Sequence, residues 1–387
     1  MLKPEINITE SATLKINSLA AEKIKRGETI FNLSAGEAHL EPHPAIVKAV
    51  ENAIREGKTL YPPVRGIPEL ITAAVSWMKS DYHASYLNQE CLVTAGGKVA
   101  IFYLLQTFLK QSDEVIIFSP YWVSYPTLIT MFGGKPVVIE TKPEAKWQIS
   151  IKLLETKVNK KTKCIIINNG GNPSGAVYPA TTLKSIIKIA RRHNLLVISD
   201  EVYSGLTYDG KFYSLAQMHK EYENISVVQS ASKNFALTGL RVGFVFAGEH
   251  IIKPLSMLQS QSTSAAASIS QYAVLGAMQN STKITAQINK AVKRRRDLFF
   301  SELKAKLGIT FAKPPAGLYA FLPVKLFGKY SDSEQFCAEI LEKANVASVP
   351  GSSFGRHDFV RFSFGVKEEV IKNAIKAMAK LALKTFI

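Results

Sequence analysis

Acidic residues, cysteines and long apolar runs are all scarce in this chain, and each shortage excludes something. Asp and Glu number 31 against 48 Lys and Arg, a formal net charge of +17 over 387 residues. The surplus concentrates in Lys157 to Lys163, Lys184 to Arg192 and Lys293 to Arg296. No nucleic-acid motif or interleaved aromatic stripe accompanies these runs, so they read as solvated helix faces and loops, with no nucleic-acid partner. A field of this sign still favours encounter with anionic substrates. The three cysteines, Cys91, Cys164 and Cys337, are odd in number and widely spaced. They exclude a disulfide framework and a thiolate metal site, and point to buried free thiols in a reducing compartment, the cytoplasm. No stretch is long and charge-free enough to cross a membrane, and Met1 to Asn17 has no apolar h-region, so secretion and membrane insertion are not expected.

What is present is an α/β chain. There is no repeat and no Gly/Ser linker, and the length exceeds one hydrophobic core, so a large domain with a smaller companion is expected. Cys164 to Asn168 is a short apolar strand. Leu183, Ile186, Ile187 and Ala190 follow at helical spacing, with Thr181 or Thr182 as the cap, and Leu195 to Ser199 is the next strand. Asp200 then falls just past a strand's carboxyl end, the edge where open α/β sheets bind ligands. Cys91 to Thr94, Val115 to Phe118, Ile225 to Gln229 and Val242 to Ala247 complete a mostly parallel sheet. After about residue 285 the pattern changes. A basic helix (Lys290 to Leu307) leads to hairpin-like strands around Phe311 to Leu322. A helix (Ser333 to Ala344), a strand (Val346 to Val349) and a closing helix from Lys367 follow. The expected division is a large domain over 46–285 and a smaller α+β domain over 286–387, with residues 1–45 packing on the latter.

Three segments carry chemistry: Asn169-Gly170-Gly171-Asn172-Pro173-Ser174-Gly175, then Val197-Ile198-Ser199-Asp200-Glu201-Val202-Tyr203, then the run Ser230 to Phe244 containing Lys233 and Arg241. Asparagine, aspartate, tyrosine, lysine and arginine in this order provide the parts that pyridoxal 5′-phosphate (PLP) requires. Lys233 forms an imine with the aldehyde and acts as a base once released. Ser230 and Ser232 offer hydroxyls to a phosphate, and Arg241 offers a bidentate fork. Asp200 suits a protonated ring nitrogen, while Asn172 and Tyr203 suit the ring oxygen. Gly96 and Gly97 open a helix whose free N–H groups and dipole favour phosphate. Trp122 reads either as a ring-stacking residue or as a core tryptophan. Arg361, alternating with apolar residues on a strand, needs an anionic partner: a substrate carboxylate, or a structural ion pair.

These motifs together resemble the class I aminotransferases of PLP fold type I, and among them the bacterial-type aspartate aminotransferase branch. The resemblance runs from Leu33-Ser34-Ala35-Gly36-Glu37 through Tyr61-Pro62-Pro63-Val64-Arg65-Gly66, Thr94-Ala95-Gly96-Gly97-Lys98 and Ser119-Pro120-Tyr121-Trp122 to Val349-Pro350-Gly351-Ser352 and the Arg361 strand. It implies a homodimer with Tyr61 reaching the partner's phosphate site. Lys233 would shuttle the proton, with Asp200 on the ring nitrogen and Asn172 and Tyr203 on the ring oxygen. Gly96, Gly97, Ser230 and Arg241 would hold phosphate, and Trp122 would stack. Arg361, Asn172 and the Gly36 backbone would take the α-carboxylate. Ala38, Gly170-Gly171, Phe244 and Ala265 depart from the family pattern without removing a catalytic group.

The resemblance also implies that Lys98 takes the distal carboxylate of an acidic substrate, since Leu255 to Gln271 holds no arginine or lysine. L-aspartate with 2-oxoglutarate is then the expected pair of amino acid and 2-oxo acid. Prephenate, with Thr13 or Lys15 near the entrance, aromatic substrates and a PLP-dependent lyase are the alternatives. A DNA-binding regulator on this fold would carry a helix-turn-helix domain, for which the residues before Ser11 leave no room.

Overall fold

A computed structural model of the chain describes residues 12–385, with the side chains of residues 12–15, 17 and 382–385 outside the description. Its frame is a seven-stranded sheet ordered Cys91–Thr94, Gly243–Phe246, Ile225–Ser230, Leu196–Asp200, Thr162–Asn168, Glu114–Ser119 and Lys135–Glu140. All pairings are parallel except those of Gly243–Phe246, which runs against both neighbours. The central strands are rich in Val and Ile and buried on both faces, as a helix-covered sheet requires. Lys135–Glu140 is a strand that the sequence reading did not identify. It lies at the edge, is half-exposed and carries Pro136, which is tolerated there.

The helix after Thr162–Asn168 is Ala180–His193, with Leu183, Ile186, Ile187 and Ala190 buried as their spacing requires. Its N-cap is Pro179 with no side-chain bond, so neither Thr181 nor Thr182 caps it. Arg191, Arg192 and His193 lie in its last turn, where cations suit the helix dipole. Another basic run behaves differently from the solvated face expected of it. In the helix Ser281–Leu307, Arg295 and Arg296 are buried. Arg295 donates to the carbonyls of Gly365 and His39, and Arg296 to Pro314 O and the Asp209 carboxylate. These two arginines fasten the long helix to the loops around it.

A three-stranded antiparallel sheet carries Arg361, ordered Val349–Pro350, Phe359–Ser363, Tyr319–Pro323. The expected hairpin around Phe311 to Leu322 does not form. Pro314 and Pro315 lack the N–H groups a first hairpin strand needs, so Tyr319–Pro323 pairs with Phe359–Ser363. The expected strand Val346 to Val349 is divided as well. Val346–Ala347 pairs in parallel with Phe31–Asn32, while Val349–Pro350 pairs with the Arg361 strand. Bonds from Leu33 N to Ala347 O and from Ser363 N to Leu33 O fix the N-terminal segment to this smaller sheet. Cys91, Cys164 and Cys337 are free and buried, and burial pushes the Cys91 and Cys337 thiols up to about 12. Among the described residues no helix is long and apolar enough to cross a membrane, and no group of metal-binding side chains occurs.

At one end of the large sheet, Ser230, Gly243 and Thr94 lie abreast across three strands. A Cβ on Gly243 would stand 2.5 Å from both Gly96 C and Gly97 N, so only glycine lets that loop fold over the sheet. Gly243→Ala is therefore expected to destabilise the protein by about 1–3 kcal/mol and to shift the Gly96-Gly97 loop. Urea unfolding checks it; an unchanged midpoint would contradict the packing.

Candidate active site

The carboxyl ends of the parallel strands place Ser119, Asn168, Asp200 and Ser230 along one edge of the sheet. Above that edge lies a cavity of about 390 Å³, closed on its other side by Gly36, Tyr319 and Arg361. It collects Gly36, Gly97, Lys98, Trp122, Asn172, Asp200, Tyr203, Ser230, Lys233, Arg241 and Arg361 from across the chain. Gly96 is the N-cap of the helix Gly97–Phe108 at the cavity's rim. Tyr61 is not in the wall, and the residue is 95% exposed. Four cations line the cavity against two carboxylates, Glu37 and Asp200, so the space favours an anionic occupant.

Lys233 lies on the short helix Ala231–Asn234, which Ser230 caps by accepting from Ser232 N at 3.1 Å. The Ser230 hydroxyl also reaches Ser232 Oγ at 2.9 Å, so it holds the turn that presents Lys233. The Lys233 ammonium donates to the carbonyl of Gly36. Burial, aided by the Arg361 and Arg241 charges and opposed by Glu37, brings its pKa down to about 8. Asp200 ends its strand and accepts from Tyr125 Oη at 2.5 Å. Burial raises its pKa to about 6 against that bond. A carboxylate so placed gains from a cation beside it.

Arg361 is 2% exposed and makes no ion pair among the described residues. It donates to Ser34 O at 2.6 Å and to Asn172 Oδ1 at 3.0 Å, and burial lowers its pKa. Its guanidinium carbon stands 4.3 Å from the Tyr319 ring centroid and 5.0 Å from that of Phe354. Its Nε is buried with no partner among the described residues. The structural ion pair is thereby excluded within the described residues. Lys98 occupies the first turn of its helix, where the dipole opposes a cation. The residue as a whole is exposed; its ammonium lies 5.1 Å from the Trp122 ring centroid, and partial desolvation with the nearby Arg241 lowers its pKa. Trp122 itself meets Tyr125 edge-on at 5.3 Å. A Cβ on Gly96 would lie 2.4 Å from Arg241 Nη2, so the glycine leaves open a cradle that a side chain would fill.

Sequence reasoning missed Tyr125, Asn168, Tyr319, Glu37 and Thr238. Asn168 Oδ1 accepts from Asn172 N at 2.9 Å and so orients that asparagine. Glu37 accepts from Thr238 Oγ1 at 2.9 Å, and its contact with His39 lowers its pKa to about 2. Glu37 stands inside a quoted motif and Tyr125 three residues past Trp122, where their neighbours drew attention. Tyr319 gave no signal, because an aromatic on an apolar strand reads as core.

These parts fit PLP: a cradle at Gly96-Gly97 with Arg241, a lysine of lowered pKa, a buried carboxylate for the ring nitrogen and an orphaned guanidinium. The fold and the site define a PLP-dependent aminotransferase of fold type I. The model of the family "Aminotransferase class I and II" matches residues 28–378, and the chain belongs to that family. It is 36% identical to a probable aspartate/prephenate aminotransferase of Aquifex aeolicus, over 97% of this chain and 96% of that one. An aspartate aminotransferase of Bacillus subtilis is 33% identical over 97% of each chain. Among solved structures, aspartate aminotransferase from Thermus thermophilus with maleate aligns with a TM-score of 0.92 at 34% identity, covering 97% of each chain.

Because its amine is half neutral near pH 8, Lys233 is expected to govern how fast the cofactor-free protein takes up PLP. The uptake rate should rise with pH through a midpoint near 8, well below the ordinary lysine value of 10.5. Stopped-flow absorbance on the apo-protein measures it; a midpoint above 10 would contradict the lowered pKa.

Proposed function

We propose that this chain transfers the amino group of L-aspartate to 2-oxoglutarate, giving oxaloacetate and L-glutamate in two half-reactions. One observation carries the reading. Two cations, Arg361 and Lys98, line a single cavity, and neither has a carboxylate partner among the described residues. A dicarboxylic amino acid satisfies both. The names of the Aquifex aeolicus and Bacillus subtilis relatives support the same choice.

PLP, when bound, supplies an aldehyde that exchanges amines and a ring that draws electrons from the substrate's α-carbon. Lys233 would hold the cofactor, and its amine, once released, would be the base that takes the substrate's α-proton. Its depressed pKa keeps a useful fraction of the amine neutral near pH 7–8. Asp200 would keep the ring nitrogen protonated, and Trp122, in the same cavity wall, would pack on the ring. Arg361 engages the Asn172 Oδ1, which leaves Asn172 Nδ2 to donate to the ring oxygen beside Tyr203. Gly96, Gly97, Ser230 and Arg241 would hold the phosphate. Arg361, with Asn172 and the Gly36 backbone, takes the α-carboxylate, and Lys98 takes the distal one.

A homodimer completes this reading. Leu60 and Tyr61 are 82% and 95% exposed, which suits a segment that a second copy would cover, with Tyr61 reaching the phosphate of the other subunit. The division at residues 1–45, 46–285 and 286–387 is our functional partition; the smaller sheet and its pairing with Phe31–Asn32 support it. A cytoplasmic location belongs to the same proposal, and three free, buried thiols support it. Prephenate as a further acceptor is supported by the name of the Aquifex aeolicus relative. The side chains of Thr13 and Lys15 lie outside the described residues.

Absorption spectra with and without L-aspartate test the chemistry. Conversion of the cofactor spectrum by L-aspartate, reversed by 2-oxoglutarate, is expected; release of ammonia without an acceptor would indicate a lyase. Lys98→Ala should lower kcat/KM for L-aspartate by about 10–100-fold, as loss of a charge-assisted bond implies, and for L-alanine by less than about twofold. Steady-state kinetics decide, and equal losses would remove Lys98 from substrate recognition.

A further inference from the structure

One buried polar group in the cavity wall has no part in the reading above: the hydroxyl of Tyr319. The residue opens the strand Tyr319–Pro323 and is 3% exposed. A hydroxyl taken from water costs free energy unless it is bonded. Among the described residues this one has a single partner, Tyr203 Oη, at 3.0 Å. The two rings meet edge-on, with centroids 5.9 Å apart at 71°, so the hydroxyl contact is not a by-product of stacking. The Tyr319 ring also carries the Arg361 guanidinium, 4.3 Å from its centroid. Gly36 closes on the same hydroxyl: a Cβ there would lie 2.4 Å from Tyr319 Oη. That glycine's carbonyl accepts from Lys233. Tyr319 thus touches, directly or through one residue, the group proposed for the ring oxygen, the lysine and the carboxylate receptor.

We infer that Tyr319 is a positioning residue: its hydroxyl donates to Tyr203 Oη and turns the Tyr203 hydrogen into the cavity, toward the cofactor's ring oxygen. The inference rests on the proposed placement of Tyr203 beside that oxygen. The pair shares two hydrogens, and one is used between the rings. If Tyr203 donated to Tyr319, it would face an anionic ring oxygen with a lone pair. The opposite direction relieves that repulsion and polarises Tyr203 into a stronger donor. The charged and titratable groups facing the pair are Asp200, Tyr125, Arg361 and Lys233, with Glu37 acting on Lys233. Tyr319→Phe alters none of them.

A donor to the ring oxygen stabilises its deprotonated form and so holds down the midpoint of the cofactor's pH-dependent absorbance change. The experiment is a pH titration of that absorbance in the PLP-loaded protein, comparing wild type, Tyr203→Phe, Tyr319→Phe and the double variant. Tyr203→Phe is expected to raise the midpoint by about one pH unit or more, and Tyr319→Phe by about half to one, the scale of one net hydrogen bond. The double variant should match Tyr203→Phe alone, since Tyr319 acts only through Tyr203. Gly36→Ala, which displaces the Tyr319 hydroxyl while leaving it present, should raise the midpoint in the same direction. A wild-type midpoint in Tyr319→Phe beside a raised one in Tyr203→Phe would overturn the inference, as would additive rises in the double variant. An increase in KM with no change of midpoint would overturn it too, reducing Tyr319 to packing beneath Arg361. An unchanged midpoint in Tyr203→Phe would instead remove Tyr203 from the ring oxygen, and the inference with it.

Discussion

The guanidinium of Arg361, buried with no carboxylate to neutralise it among the described residues, is the constraint around which the rest of the site is arranged. An unpaired charge taken from water costs several kcal/mol after relaxation. The protein offsets only part of this, with Ser34 O, Asn172 Oδ1 and two aromatic rings. What remains unsatisfied is the property a receptor for an anion needs, because the ligand supplies the missing partner. Lys98 repeats the pattern at lower cost, held in a helix's first turn where its charge is unwelcome.

Holding such a residue in place explains the smaller sheet. Arg361 is the middle residue of Phe359–Ser363, flanked in register by Phe321 and Val349. Strands on both sides fix its backbone, and the Leu33 segment locks the far end through Ser363. The large sheet does complementary work. Its carboxyl edge sets Asp200 and the Lys233 turn, and Gly243 leaves room for the Gly96-Gly97 loop to come down over Ser230. One cavity results from two sheets, with Lys98, Arg241 and Arg361 lining it beside Lys233. Preorganised charge of this kind does not have to be reoriented when the substrate reacts.

Much of this was legible before any coordinates. Strands such as Thr162–Asn168 and Ile225–Ser230 are continuous apolar runs, and buried parallel strands announce themselves that way. Arg361 was legible because a charge alternating with apolar residues on a strand demands a reason, and Lys233, Asp200 and Arg241 because they stand in ordered motifs that follow apolar strands. Edge strands and caps were not. Lys135–Glu140 is half-exposed with a proline, and Pro179 caps without a side chain, so neither leaves a pattern to find. Arg295 and Arg296 were misread for the opposite reason. On a helix surrounded by lysines they look solvated, and only the loops at Gly365, His39 and Pro314 turn them inward. Tyr319 was invisible because its meaning lies in one hydroxyl contact with a residue 116 positions away.

The central claim is that Arg361 and Lys98 divide the two carboxylates of one substrate between them. Equilibrium binding of maleate, a dicarboxylate, and butyrate, a monocarboxylate, to the PLP-loaded protein tests it most directly, using wild type, Arg361→Ala and Lys98→Ala. The account predicts that Arg361→Ala weakens both anions, whereas Lys98→Ala weakens maleate and leaves butyrate unchanged. Loss of butyrate binding in Lys98→Ala, or maleate binding untouched in Arg361→Ala, would contradict it.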